Sequence, residues 1–176
     1  MIGQAIDATA GTTPRAGKAF DAIGADERQK LWVMGSRLDI VVTGDQTAGA
    51  YAVAEDRSMP GFGPPPHLHQ REDEAFYVIE GEYVFGSEDG EVRVGPGGFV
   101  HAPKGHVHWW RNVGAGRGRH LEVFMPAGLE KMFEEIGEPI IDVNADPPPP
   151  DPGRLLAVAP RYGVEFRVPP RATERR

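Results

Sequence analysis

From Leu31 onward, apolar and polar positions alternate in short runs. Leu31–Met34, Arg37–Thr43 and Ala48–Ala54 are rich in β-branched or alternating apolar residues, and glycine-containing turns separate them, which predicts short strands. Glu74–Phe85 is the strongest run, with Phe76, Tyr77, Val78 and Ile79, then Tyr83, Val84 and Phe85. Gly81 inside it predicts two strands joined by a sharp bend. Ser87–Gly90 reads as a hairpin turn, Glu91–Val94 as the returning strand and Pro96–Gly98 as another turn. Phe99–Ala102, Val107–Asn112 and His120–Met125 complete the series. Strands repeating every ~8–12 residues predict an all-β sandwich or barrel. No helical period interrupts residues 31 to 126, which argues against a parallel α/β sheet.

After Pro126 the period changes. Leu129, Met132, Phe133 and Ile136 fall at i, i+3, i+4 and i+7, and Gly137 follows as a helix terminator would. This stripe predicts a helix packed over the barrel. Asp146–Pro152 is a proline-rich extended connector. Asp151 and Pro152 are suited to cap and start a second short helix through Ala159, which Pro160 would end. Tyr162–Val168 reads as a last edge strand, and Ala25 to Lys30 as a short helical turn. Residues 1–18 are small and polar without a period, as in a loosely ordered arm or one draped over a partner. The expected division is an N-terminal extension over 1–30, a barrel over 31–126 and a C-terminal extension over 127–176.

Composition narrows the function classes. A chain of 176 residues suits one domain with extensions and buries a substantial core without covalent staples. The chain has no cysteine, which excludes a disulfide framework, an iron–sulfur cluster, a zinc finger and a thiol nucleophile. Any metal must therefore be held by His, Asp, Glu or backbone oxygen. The net charge of −7 argues against a nucleic-acid partner. The basic clusters, Arg117–Arg119 and Arg171 to Arg176, read as a loop and a tail. No apolar run approaches the ~20 residues of a membrane span, and the N-terminus lacks a secretory pattern, so a cytoplasmic protein is expected. With 23 glycines and 17 prolines beside 40% hydrophobic residues, the chain reads as turn-rich and folded.

Four side chains carry the candidate chemistry. On a strand, His67 and His69 point to one face while Leu68 points away. Glu74 opens the strongest strand, and His108 lies on a later one. Imidazoles with a carboxylate suit a first-row transition metal that keeps positions open. Glu74 belongs to the charged run Arg71–Glu74, which would otherwise read as a solvated turn; spacing singles it out. Alternation puts Trp110 on the face of His108, and Phe76 and Val78 on that of Glu74. With Tyr51 or Val53 and Phe124 these are the candidate substrate-pocket residues, positions that a barrel also uses for plain packing. Trp109 is expected to face outward, and His106 to lie at the barrel mouth or in a loop. His101 and His120 are expected at the surface, and Asn112 in a turn. The Gly/Pro loop Met59–Pro66 is placed to gate access.

The spacing is more specific than the residue types. One segment reads Gly61, five residues, His67, one, His69, four, Glu74, six, Gly81. The other reads Gly97, five, Pro103, one, Gly105, two, His108, three, Asn112. The two together resemble the two sequence motifs of the cupin superfamily. The resemblance implies a double-stranded β-helix, or jelly-roll, barrel with a metal held inside by His67, His69, Glu74 and His108. The stretch GPPPHLHQREDEAFYVIEGEYVF and the tail YGVEFRVPP are similar to small single-domain, quercetin-dioxygenase-like bacterial cupins. That likeness implies a divalent transition metal: nickel, manganese, iron, cobalt, copper or zinc. It also implies molecular oxygen and a small aromatic or enol, flavonol-like substrate. Glu74 would be both a ligand and the base that takes the substrate hydroxyl proton, and the chain would form a homodimer. The rival readings are an oxygen-independent metal-dependent isomerase or hydrolase, and a non-catalytic small-molecule-binding cupin. Regulatory cupins often carry a helical DNA-binding domain, for which the segment before this barrel is too short.

Overall fold

In the computed structural model, which describes residues 22–167, strands and two short helices build a jelly roll of two facing antiparallel sheets. The strands are β1 (Gln29–Val33), β2 (Ser36–Val42), β3 (Ala52–Arg57), β4 (His67–His69), β5 (Asp73–Glu80) and β6 (Tyr83–Ser87). They continue with β7 (Gly90–Val94), β8 (Phe99–Ala102), β9 (His108–Asn112), β10 (Arg119–Met125), the two-residue β11 (Glu138–Pro139) and β12 (Val164–Phe166). One sheet has the order β11-β1-β2-β3-β10-β5-β8, the other β12-β4-β9-β6-β7. Residues 1–21 and Val168 onward, with the expectations for them, lie outside the described residues.

Alternation does what the pattern predicts where one face is wet. Along β10, His120, Glu122 and Phe124 are buried while Leu121 and Val123 are only partly so. On β5 the inward set is Glu74, Phe76 and Val78, and on β3 it is Ala52, Ala54 and Asp56. Phe76, Val78, Tyr83, Phe85, Ala102 and Trp110 fill the space between the sheets. Each such fully buried apolar side chain contributes about 1.5–3 kcal/mol relative to its exposed state. Gly81 makes the predicted bend between β5 and β6 with φ +88°, and a Cβ there would stand 2.8 Å from Gly118 Cα. The third strand differs from expectation. Ala48 and Gly49 both have positive φ, so the chain turns there and the strand runs Ala52–Arg57 instead of Ala48–Ala54. The expected helical turn near Ala25 is one 3-10 turn, Ala25–Glu27.

Beyond Pro126 the chain returns over the barrel. Helix α1 (Glu130–Ile136) turns Leu129, Met132, Phe133 and Ile136 against Leu31, Leu38 and Phe124. Its buried Glu130 is fully partnered, Oε1 accepting from Gly44 N at 3.0 Å and Oε2 from Gly128 N at 2.6 Å. Helix α2 (Pro152–Val158) starts as the sequence suggests: Asp151 Oδ1 accepts from Arg154 N at 2.9 Å and Pro152 opens the first turn. Pro160 ends the α-helix but not the coil, because a proline fits the first turn of the 3-10 segment Ala159–Tyr162 that follows. β12 then pairs with β4 at the sheet edge. No helix among the described residues is long and apolar enough to cross a membrane.

Candidate metal centre and cavity

Sheet register assembles the four candidate ligands. His67 on β4 pairs directly with His108 on β9, and His69 points the same way two residues on. Glu74 reaches them from β5 in the opposite sheet. One ligand atom from each of His67, His69, Glu74 and His108 lies within 4.8 Å of the others, and all four side chains are buried. His67 Nδ1 is 3.0 Å from the Pro65 carbonyl, and His108 Nδ1 is 3.1 Å from the His106 carbonyl. A carbonyl only accepts, so both rings donate from Nδ1 and present Nε2 to the cluster. Glu74 Oε2 lies 3.0 Å from His108 Nε2 and 3.2 Å from His69 Nε2. His69 Nδ1 has no hydrogen-bond partner, although the residue is only 3% exposed.

Three imidazole nitrogens and one carboxylate oxygen, buried and incompletely partnered, fit a divalent transition ion. The electrostatics agree. Burial, with His108 and His69 beside it, pushes the His67 pKa down to about 3, so its nitrogen is a free lone pair. Burial alone would raise the pKa of Glu74, but the charge of His69 and hydrogen bonds from His108 and His69 hold it below the usual range. Burial would lower His108, and its contact with Glu74 outweighs that and raises it. Within the charged run, Glu72 is buried 3.9 Å from His69 Nδ1, behind the cluster, and burial raises its pKa. Asp73 instead accepts from Lys104 N at 2.9 Å.

Residues 56–124, which hold all four candidate ligands, match the family described as Cupin domain. The chain carries a cupin domain. A curated relative, quercetin 2,3-dioxygenase of Bacillus subtilis (strain 168), is 28% identical over 111 residues. The match covers 57% of this chain and 33% of that protein, so the chain spans about a third of its relative's length. The structure of KdgF from Halomonas sp. superposes with a TM-score of 0.56 at 21% identity, covering 63% of this chain and 99% of that one. A predicted oxalate decarboxylase from Thermotoga maritima gives 0.54 at 19%, covering 60% and 99%. At these identities the two structures speak for the fold alone.

A cavity of about 400 Å³ borders these candidate ligands. His67, His69, Glu74 and Trp110 form one wall. The loop from Phe62 to Pro65 forms another. Its backbone is tied to β9, with Gly61 N donating to Asn112 O and Asn112 N to Phe62 O. Gly63 packs so closely that a Cβ would overlap the Trp110 carbonyl, so only a glycine fits this wall. Leu129, Met132, Phe133 and Leu155 of the C-terminal extension form a further wall, and Val33, Met34 and Leu38 of the first two strands and their turn complete it with Asp56 and Glu122.

Among the expected pocket residues, Trp110 borders the cavity. Phe76, Val78 and Phe124 are buried in the core instead, Phe76 with its ring 6.4 Å from that of His108. Tyr51 is 44% exposed and does not line it, because the strand starts only at Ala52 and the preceding turn leaves Tyr51 outside. Phe76 borders a second groove of about 650 Å³ on another side of His108, which the exposed His101 and His106 also line. Asn112 serves its turn from a buried position, donating to Ser58 O and Gly116 O and accepting from Gly114 N.

Sequence reasoning missed a second buried group. His120, expected at the surface, is 0% exposed, because it shares the inward face of β10 with Glu122 and Phe124. Its Nε2 lies 3.0 Å from Glu122 Oε1, and Tyr83, Trp110 and Phe76 surround the ring at centroid distances of 4.8, 4.6 and 5.7 Å. Asp56 is paired with it in register on β3, and its Oδ2 accepts from Ser36 Oγ at 2.9 Å. Burial pushes the Asp56 pKa up to about 7 and raises that of Glu122. The available signal was strand parity: Ala52, Ala54 and Asp56 fall on one face, as do His120, Glu122 and Phe124.

Proposed function

We propose that this cupin is a metal-dependent dioxygenase-type enzyme acting on a small aromatic or enol substrate, flavonol-like in its hydroxyl chemistry. The observation that carries the reading is Glu74, the carboxylate among three imidazoles, opening onto a largely apolar cavity. A bound divalent transition ion would supply Lewis acidity toward a substrate hydroxyl and redox access to oxygen. His67, His69, Glu74 and His108 are the residues that would hold it.

The chain's own residues do the rest. Pro65 and His106 carbonyls lock the rings of His67 and His108, so the donor set is organised before any ligand arrives. Glu74 Oε2 is the acceptor for the substrate hydroxyl proton. The charge of its imidazole neighbours outweighs burial and keeps Glu74 ionised, so its oxygen is free to take a proton. Phe62 and Trp110, with ring centroids 5.9 Å apart, give a planar substrate an aromatic wall. The wall from Leu129, Met132 and Phe133 keeps water from the reacting atoms. The similarity to a quercetin 2,3-dioxygenase supports the same direction.

Oxygen uptake tests the reading. Protein loaded separately with nickel, manganese, iron and cobalt is offered flavonols and other enolisable aromatics. Uptake is expected in at least one loaded form, and Glu74→Ala is expected to lower it by about 100-fold or more. No uptake in any sample that retains its metal overturns the dioxygenase reading for these substrates. It moves the protein to oxygen-independent isomerase or hydrolase chemistry, or to ligand binding without turnover.

A further inference from the structure

We infer that the segments flanking residues 56–124, and not the cupin domain itself, choose the substrate of this cavity. They read an uncharged apolar tail on a molecule whose one acidic hydroxyl faces Glu74. The inference rests on the cavity being the substrate site, and not on the oxygen chemistry.

The cavity has two chemically different halves, and they divide where the family match ends. Its five ionisable lining residues, His67, His69 and Glu74 among them, all lie within residues 56–124. Every lining residue before or after that stretch is apolar. Val33, Met34, Phe133 and Ile136 pack on the core yet stay only partly buried, so they keep apolar surface that a ligand can cover. The halves meet at the candidate ligands. Phe166 of β12 pairs in register with His67, and their rings are 5.7 Å apart. One molecule therefore reaches the imidazole–carboxylate cluster with its head and the flanking segments with its tail.

No lysine or arginine lines the cavity. A carboxylate or phosphate on the tail would lose its hydration there and gain no counter-charge. An ammonium or hydroxyl tail fares no better, because the flanking residues offer it no polar side chain. Each methylene taken fully from water strengthens binding about fourfold, so an apolar tail gains with length. The ligand class is an uncharged phenol or enol with one alkyl or unsubstituted aryl tail, and hydroxyls on the tail count against binding.

Calorimetric binding of five 4-substituted phenols to the nickel-loaded protein under anaerobic conditions tests this. The substituents are methyl, pentyl, 4-hydroxybutyl, 3-carboxypropyl and 4-aminobutyl, the last four of similar length. The pentyl compound is expected to bind about tenfold or more tightly than each of the others. Met34 lies in the turn between β1 and β2, and Ile136 ends α1. Met34→Lys and Ile136→Lys, each checked for folding by its melting transition, put a cation on the apolar half. Each is expected to cut the preference for pentyl over 3-carboxypropyl below about threefold. If one variant does not fold, the other still reads the ratio. Val92→Lys, at an exposed apolar residue of the other groove, is expected to leave the ratio unchanged. Tighter binding of any polar tail, an unchanged ratio in the folded Met34 and Ile136 variants, or an equal loss in Val92→Lys overturns the inference. Binding of the methyl compound with no gain from the pentyl tail also overturns it and leaves the cavity as the substrate site. Failure of all five phenols to bind overturns it too, while oxygen uptake still decides the proposed function separately.

Discussion

Two buried polar groups face the interior of this cupin, and they are built on opposite terms. His67, His69, Glu74 and His108 bring four donor atoms within 4.8 Å of one another, drawn from both sheets. Asp56, His120 and Glu122 lie on two adjacent strands of one sheet, tied by one ion pair and one hydroxyl bond. The first has lone pairs converging on a point, which suits an ion. The second has its ionisable groups shut in beside aromatic rings, with one acceptor left unpaired. Burial is similar in both, so geometry decides what each can hold.

Removing ligands from one group and not the other is the sharpest way to break the comparison. Alanine at His67, His69 or His108 should weaken metal binding by more than the roughly 10–100-fold that changes outside the ligand set cost. Metal content per chain, measured by elemental analysis after gel filtration, checks this. His120→Gln should retain the metal; its loss there would merge the two groups into one site.

The next largest effect is on stability. His120→Leu leaves the Glu122 carboxylate buried without its partner and should cost about 3–5 kcal/mol by denaturant unfolding. A loss well under 1 kcal/mol would mean that the pair adds nothing to the fold. Leu129→Ala should cost about 2–3 kcal/mol, near the low end for a buried leucine because the residue already borders a cavity. That change should also loosen ligand binding, since it widens the wall that the extension supplies.

The smallest effect is on pH dependence. Asp56 has a folded-state pKa raised from 3.8 to about 7 by burial, so the folded state holds its proton more tightly than the unfolded chain. Its stabilising contribution is full below about pH 4 and is lost as pH rises through about 7. Asp56→Asn cannot ionise. Its melting temperature relative to the parent should therefore rise between pH 6 and pH 8, by about 3–5 °C. An unchanged difference would mean that Asp56 does not ionise in that window.

The two groups also differ in how far they could be read from the sequence. His67 and His69 are two apart on one strand, and Glu74 and His108 sit at fixed offsets within short segments, so local spacing carried them. Asp56 reads alone as one acid in a charged stretch, and His120 as an isolated histidine after Arg117–Arg119. Only the pairing of β3 with β10 makes them neighbours. Tyr51 lies outside the cavity for a local reason, because the positive φ at Ala48 and Gly49 delays the strand. Phe76 and Val78 did face inward as parity requires, but inward here means core.

By itself, the sequence determined the all-β architecture, the bend at Gly81, the capped C-terminal helices and the four candidate ligands. Each of these follows from periods or spacings spanning a few residues, where backbone geometry leaves little choice. Tertiary structure alone decided that the C-terminal extension walls the cavity, that His120 is buried among aromatics, and that Asp56 is buried beside it. Those facts depend on which strands pair and which surfaces meet across long stretches of chain. No local pattern encodes them, because the free energy that selects them belongs to the packed whole.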